Sequence, residues 1–547
     1  MGTEKIKKAN VSIKLFDTTL RDGSQREKIN FSLADKLAVA SILDEFGVDY
    51  IEGGWPGANP KDADFFKSAA QRDWKNSKIV AFGSTRRKNQ PPEKDKNLNA
   101  LLKAETPAVS IFGKSWRLHI QSALKVCAEE NLQMVYDSVD FMLKHGIEVI
   151  FDAEHFFDGY KDDPDFAVNV LSAAVQAGAG TIVLCDTNGG STTFEVYEIT
   201  KNICEMFDIE IGIHAHNDSD LAVANSLSAV EAGARHVQGT INGLGERCGN
   251  ANLISVIPNL QLKMGYFCVP EYKLKTLTDI SALVNEIANI VPRNETPFVG
   301  TSAFAHKGGV HVSAVMKNPA TYEHINPDLV GNKRRVLISD LSGKSNVQYK
   351  MSELGFENLN AEQSRIVVER IKELENKGYS YEAADASFEL LVHNSINHDT
   401  AFFNLSGFRQ FTEKNADGDL WSEASIRVEV NGEVEHTAAS GNGPVNALDN
   451  ALRKALVRFY PEIAGVKLID FKVRVINEAG KKGTASKVRV LIQMMCREKS
   501  WSTVGVSENI IEASWQALVD SYNYFLLKKI NKINVEVTNN ETQSINF

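Results

Sequence analysis

The chain reads as an α/β protein: a (β/α)8 TIM barrel, then helical linker subdomains, then a C-terminal α+β regulatory domain. Three observations lead there. Between residues 11 and 262, eight short β-rich runs alternate with helical segments, the rhythm of a barrel rather than an open sheet. Polar and charged residues gather just past the ends of those runs. The text then turns helical and later returns to alternating strands, which sets expected domains of 1–275, 276–395 and 396–547. A chain of 547 residues is too long for one hydrophobic core, so several domains are required.

The candidate strands run over 11–16, 50–54, 78–83, 108–113, 148–151, 181–185, 210–215 and 236–240. Amphipathic helices fill the gaps at 32–46, 168–177, 193–207 and 221–232. Ser32, Asp165 and Asp220 are placed to cap helix starts, and Gly47, Gly146, Gly178 and Gly233 to end helices. In a barrel the functional residues follow the strands' C-terminal ends. That rule collects Asp17, Arg21 and Asp22 after the first run, Glu52 on the second, and Glu154 and His155 after the fifth. Asp186 and Thr187 follow the sixth, and Asn242, Glu246 and Asn250 the eighth. His214 and His216 end the seventh, two apart across Ala215, so they share one face of a strand. Such a pair makes half of a metal site or part of an ordinary polar network. Glu52, Asp186 and Glu246 have a second reading as residues that orient loops.

Past the barrel, helices are expected at 277–288 and 362–377, with a long loop at 293–316 that carries His306 and His311. Within it, Gly308–Gly309 permits a tight turn close to another group, in a site or else in a helix-capping or crossover loop. Asp340–Ser345 contains Gly-Lys-Ser but lacks the glycine-rich run of a phosphate loop. The last third shows strands at 425–430, 466–477 and 487–496, with helices at 445–459 and 510–527. Its two halves repeat strand, small-residue turn and helix, which suggests internal pseudo-symmetry. The turns at 439–444 and 505–509, with Ala439, Gly441, Gly443, Gly505 and Ser507, either offer backbone donors to an amino acid's carboxylate or simply cap helices.

A net charge of -10 provides no electrostatic reason to bind nucleic acid, and none is expected as a partner. Six cysteines lack zinc-finger spacing and read as reduced thiols of a cytoplasmic protein. No signal core or membrane-length apolar run is visible, so no membrane partner is expected.

Three stretches carry a family resemblance. They are Phe16-Asp17-Thr18-Thr19-Leu20-Arg21-Asp22-Gly23 with Gln25, then His214-Ala215-His216-Asn217-Asp218, then Gly239 through Ala251. In this order they resemble the signatures of the isopropylmalate, homocitrate and citramalate synthase family. That family shares a metal-dependent barrel with 3-hydroxy-3-methylglutaryl-CoA lyase. The resemblance covers nearly the whole chain, including a C-terminal part similar to the family's leucine- or isoleucine-sensing module. Local markers at Glu52–Pro60, Phe112–Trp116 and Phe151–Gly159 are similar to the long citramalate-forming branch.

The resemblance implies a site. Asp22, His214, His216 and Asn250 would hold a divalent cation, Mn²⁺, Mg²⁺ or Zn²⁺, with positions left for a 2-oxo acid. Arg21 would sit by the keto oxygen, Gln25 would bind substrate, and Thr187 would hold its carboxylate. Glu154 would orient acetyl-CoA and the keto acid. His311 would act as base with Tyr322 assisting, His306 being the rival. A small pocket shaped by Phe82, Phe112 and Asp152 suits pyruvate; a larger one would suit 2-oxoisovalerate. Isoleucine, with leucine as the alternative, is the implied allosteric inhibitor, and a homodimer the implied assembly. An acyl-CoA lyase and a non-catalytic metal-binding barrel are the other readings.

Overall fold

The computed structural model describes residues 11–338, 344–353, 360–397, 401–476, 486–497 and 499–543; the Gly-Lys-Ser segment falls largely outside them. The chain divides into two compact units. The first comprises the described residues of Met1–Phe304 with His324–Arg334, and the second those of Ala305–Glu323 with Arg335–Phe547.

The first unit is the expected barrel. Its strands are β1 (Lys14–Asp17), β2 (Tyr50–Gly54), β3 (Lys78–Ser84), β4 (Ala108–Lys114), β5 (Glu148–Glu154), β6 (Thr181–Asp186), β7 (Glu210–Ala215) and β8 (His236–Gly239). All pair in parallel in chain order, and β8 closes onto β1 with Leu15 opposite Val237. Each strand is covered on both sides, which explains why its sequence is a short apolar run rather than an alternation. Phe16, Tyr50, Val80, Ala108, Ile150, Val183 and Cys185 fill the inside. A larger layer, with Leu15, Ile51, Ile111, Phe151 and Ile213, lies between strands and helices.

Local chemistry sets the helix ends. Ser32 accepts from the Asp35 backbone N–H while Asp35 reaches back, a capping box for Leu33–Phe46. Gly47, Gly146, Gly178 and Gly233 all take positive φ at helix exits, as expected. Two expected caps are corrected. Asp163 rather than Asp165 caps the helix Pro164–Ala177, because Pro164 pre-sets the first helical turn four residues before the apolar period begins. Asp220 adopts φ 59° and does not cap Ala222–Ala232; Asn217 Oδ1 accepts from the Ala222 N–H instead. Helix Leu277–Ile287 adds Leu277, Ile280 and Val284 to the barrel's outer layer.

In the second unit, β9 (Ala305–His306) pairs with β10 (Arg335–Val336). The long loop expected at 293–316 is corrected: helix Gly309–Lys317 starts inside it, with Gly308 as N-cap at φ -70°. The glycine pair therefore opens a helix and makes no left-handed turn. Helices Lys344–Glu353, Ala361–Asn376 and Asp385–Asn397 follow. Then comes a repeated unit of three antiparallel strands and a helix. The first copy is β11 (Asn404–Lys414), β12 (Leu420–Val430), β13 (Glu433–Gly441) and helix Pro444–Leu456. The second is β14 (Val466–Ile476), β15 (Lys487–Cys496), β16 (Lys499–Ser507) and helix Ile510–Gln543. One core joins the copies: Ile426, Val428, Leu448 and Leu452 pack in the same cluster as Val490, Ile492, Met494 and Leu518. Among the described residues, no helix is long and apolar enough to cross a membrane.

Candidate active site

The two histidines share a face, as strand geometry requires. His214 is the penultimate residue of β7 and His216 follows the strand, and their Nε2 atoms lie 3.3 Å apart, both rings being buried. Asp22, on the turn after β1, places Oδ2 3.2 Å from His214 Nε2 and 3.7 Å from His216 Nε2. Asn250 reaches the group from the loop after β8, its amide nitrogen 2.8 Å from Asp22 Oδ2 and 3.2 Å from His214 Nε2. That loop is laced onto β7: the Ala251 N–H donates to the Ala215 carbonyl at 2.9 Å, and the Asn217 N–H to Gly249 at 2.8 Å. Gly245 allows the approach, since a Cβ there would lie 1.8 Å from Asn250 Oδ1.

The donor set fits a divalent cation. A carboxylate and two imidazole nitrogens converge in a buried cluster, with ligand atoms within 4.8 Å of one another. Asn250 Oδ1 is buried and finds no hydrogen-bond partner among the described residues. A half-turn of that amide exchanges its nitrogen and oxygen and would offer the orphaned atom to the cluster. Burial opposes ionisation of Asp22, but Arg21, His214 and His216 together hold its carboxyl well below the usual carboxylate range. Burial and the neighbouring His214 push His216 down to about 3, so its ring is a neutral electron-pair donor at neutral pH.

Arg21 stands beside this cluster. Its Nε donates to Glu52 Oε2 at 2.6 Å, its guanidinium carbon lies 3.9 Å from the Phe82 ring centre, and one terminal nitrogen is 3.5 Å from Asp22. Glu52 is fully buried, and burial raises its carboxyl to about 7 against the pull of Arg21. Phe82 stacks on Phe112 at 5.2 Å, and Trp55 meets both rings edge-on at 5.6 Å. These three rings form one wall. Lys114 pairs with Glu154. Thr187 Oγ1 accepts from the His155 N–H at 2.9 Å, leaving its own proton to donate elsewhere. Gln25 is exposed at the end of the short turn Gly23–Gln25.

Asp152 behaves differently from the pocket-lining residue expected. Its oxygens are taken by Ser110 Oγ at 2.6 Å and Gln238 Nε2 at 3.0 Å, inside the barrel. Gln238 in turn lies 2.8 Å from His214 Nδ1. Sequence reasoning missed Ser110 and Gln238; the available signal was a polar residue within a short strand otherwise covered on both sides. Asp186 binds Ser191, and Asn242 exchanges hydrogen bonds with Ser281, so both organise loops.

His311 and Tyr322 belong to the second unit. They stack with centroids 4.2 Å apart, and both are exposed. His306 is instead buried, its Nε2 3.1 Å from Glu323. In the C-terminal repeats, Ala439 and Gly441 lie in β13 and Gly505 and Ser507 in β16. Gly441 ends β13, and Gly505 lies two residues before the end of β16. A Cβ there would lie 2.4 Å from the Ala447 nitrogen or 2.0 Å from the Ala513 carbonyl, so each lets its helix close onto its sheet. Gly443 is the N-cap of its helix, whereas Asn509 Oδ1 serves the N–H groups of Ile511 and Glu512.

Residues 12–284 match the HMGL-like family, 298–379 a homocitrate synthase post-HMGL domain, and 382–526 the LeuA allosteric (dimerisation) domain. The chain is 56% identical to an (R)-citramalate synthase of Aquifex aeolicus over 94% of its own length and 98% of that protein. The chain belongs to the (R)-citramalate synthase family. An (R)-citramalate synthase of Geobacter sulfurreducens is 54% identical over 94% of this chain and 98% of its own. A 2-isopropylmalate synthase of Methanocaldococcus jannaschii reaches 31%, over 94% of this chain and 95% of that one.

Proposed function

We propose that the protein condenses acetyl-CoA with pyruvate and hydrolyses the product thioester to (R)-citramalate and coenzyme A, the entry to isoleucine synthesis. The observation that carries this is the buried Asp22–His214–His216 cluster with the Arg21 guanidinium beside it, laid on the Phe82–Phe112 aromatic wall. Asn250 would be the fourth ligand. A divalent cation held there supplies Lewis acidity that polarises the keto carbonyl and orients the 2-oxo acid; the mixed nitrogen and oxygen donors suit Mn²⁺, Mg²⁺ or Zn²⁺.

The side chains divide the remaining work. Thr187 donates its hydroxyl proton to the pyruvate carboxylate, and Gln25 adds a contact. Glu154, oriented by Lys114, aligns the acetyl group. His311 removes a proton from the acetyl methyl, and Tyr322, stacked on it, steadies the ring; its exposure suits it better than buried, Glu323-paired His306. The methyl carbon attacks C2, and the former keto oxygen gains negative charge next to Arg21, whose fixed cation stabilises it. Water then cleaves the thioester, releasing the thiol. Phe82 and Phe112 limit the space beside C2 to a methyl group. The LeuA-type domain is read as dimerising the enzyme and binding isoleucine, which inhibits it.

The test is thiol release from acetyl-CoA with pyruvate or 2-oxoisovalerate. A kcat/KM favouring pyruvate supports the reading, and preference for 2-oxoisovalerate replaces it with isopropylmalate formation. Calorimetric titration with isoleucine, leucine and valine checks the effector; silence with all three removes the sensor.

A further inference from the structure

The cluster at the barrel mouth continues downward as a chain of hydrogen bonds with one consistent direction. Ser110 (β4) and Asp152 (β5) are buried, as is Gln238 (β8). A carboxylate only accepts, so Ser110 Oγ donates to Asp152 Oδ2 at 2.6 Å and Gln238 Nε2 donates to Oδ1 at 3.0 Å. With its nitrogen committed, the Gln238 amide turns Oε1 toward His214 Nδ1, 2.8 Å away. An amide oxygen requires a donor, so Nδ1 carries the hydrogen. In the neutral ring, that leaves the Nε2 lone pair facing Asp22, His216 and Asn250.

We propose that Gln238, locked by Asp152 and Ser110, is a positioning residue that selects the His214 tautomer and thereby sets the cluster's affinity for a divalent cation. The inference rests on the metal-site reading above. Cross-strand geometry supports it: His214 and Gln238 are register partners on β7 and β8, so the contact is built into the barrel. Without an acceptor at Nδ1, the ring is free to carry its hydrogen on Nε2, which cannot then bind a cation. Partners of metal-binding histidines are typically worth about 10- to 100-fold in affinity.

The test is Mn²⁺ binding to the full-length protein without substrate, read from the free-ion electron paramagnetic resonance signal, with melting temperature as control. Gln238→Met removes the acceptor and should raise Kd at least about tenfold. Gln238→Glu alone sets two carboxylates against each other and should also weaken binding. The double variant Asp152→Asn/Gln238→Glu rebuilds the chain with the two groups exchanged. The amide now on β5 donates to the carboxylate now on β8, whose other oxygen accepts from His214. It should return Kd to within about threefold of the parent, a rescue that a merely structural role for Gln238 does not predict. Unchanged Kd in Gln238→Met, or no rescue in the double variant, overturns the proposal. If Gln238→Met fails to fold, comparison of Gln238→Glu with the double variant decides alone. A parent protein that binds no Mn²⁺ would instead remove the metal-site reading itself.

Discussion

Replacing Glu52 by Gln separates what Arg21 does for the fold from what it does for the reaction. Glu52 is fully buried and its Oε2 accepts from Arg21 Nε at 2.6 Å, while its other oxygen has no hydrogen-bond partner among the described residues. Gln keeps the shape and one acceptor but removes the buried charge. Burial has already raised this carboxyl to about 7, so losing the charge roughly offsets the weaker hydrogen bond, and the fold should stay within about 1 kcal/mol. The reaction should respond differently. A neutral acceptor holds the guanidinium less firmly over Phe82 and beside Asp22, and displacement of about 1 Å at a reacting centre costs on the order of 100-fold. Loss of one charge-stabilising donor costs about the same or more. The expected result is kcat lowered roughly 100-fold, KM for pyruvate little changed, and a melting temperature within a few degrees of the parent. Thiol-release kinetics and calorimetry measure these. An unchanged kcat, or a raised KM with kcat intact, would refute the claim that Glu52 holds Arg21 for the developing alkoxide.

Phe112→Ala opens the wall formed with Phe82 and Trp55, and should move the pyruvate to 2-oxoisovalerate ratio of kcat/KM by about tenfold toward the larger acid. Competing-substrate assays would show it. His214→Ala should abolish stoichiometric Mn²⁺ binding and turnover with the circular dichroism spectrum unchanged; surviving activity would displace the metal assignment. Gly505→Ala drives a Cβ to 2.0 Å from the Ala513 carbonyl and should cost about 1–3 kcal/mol in urea unfolding. Asp520 makes the protein's stability pH-dependent. Burial raises its carboxyl to about 7 even though Ser387 Oγ donates to it at 2.7 Å. Between the unfolded value near 4 and about 7, the folded state keeps a proton the unfolded chain has lost. Stability therefore falls as pH rises across that window, by up to about 1.4 kcal/mol per pH unit, and is flat above it. Asp520→Asn should flatten the slope in urea midpoints measured from pH 4.5 to 8.

Much of the barrel is legible locally. A parallel strand covered on both faces must be a short apolar run, and a helix returning to it must end on a residue that tolerates positive φ. Those two constraints place β1 to β8 and the glycine exits near the structure's own limits. The caps expected at Asp165 and Asp220 differ because Asp163 and Asn217, just upstream, take the same role with better geometry. Strands β11 and β13 are not legible because they are largely exposed and carry charged and small residues, and β16 because its serines, threonine and glycine break the apolar period.

For the site, Asp22, His214, His216 and Asn250 stand out from spacing and motif, since the residues sit where strands end, and strand ends are written in sequence. What the linear chain does not contain is the closure of β8 onto β1. Closure brings residues 228 positions apart, Asn250 and Asp22, within 2.8 Å, and it faces Gln238 toward both Asp152 and His214. The direction of each hydrogen bond in that chain depends on which atoms face one another across the barrel's interior. So the candidate ligands were readable in the sequence from strand-end position and family resemblance, while the contacts that orient His214 were decided only by packing.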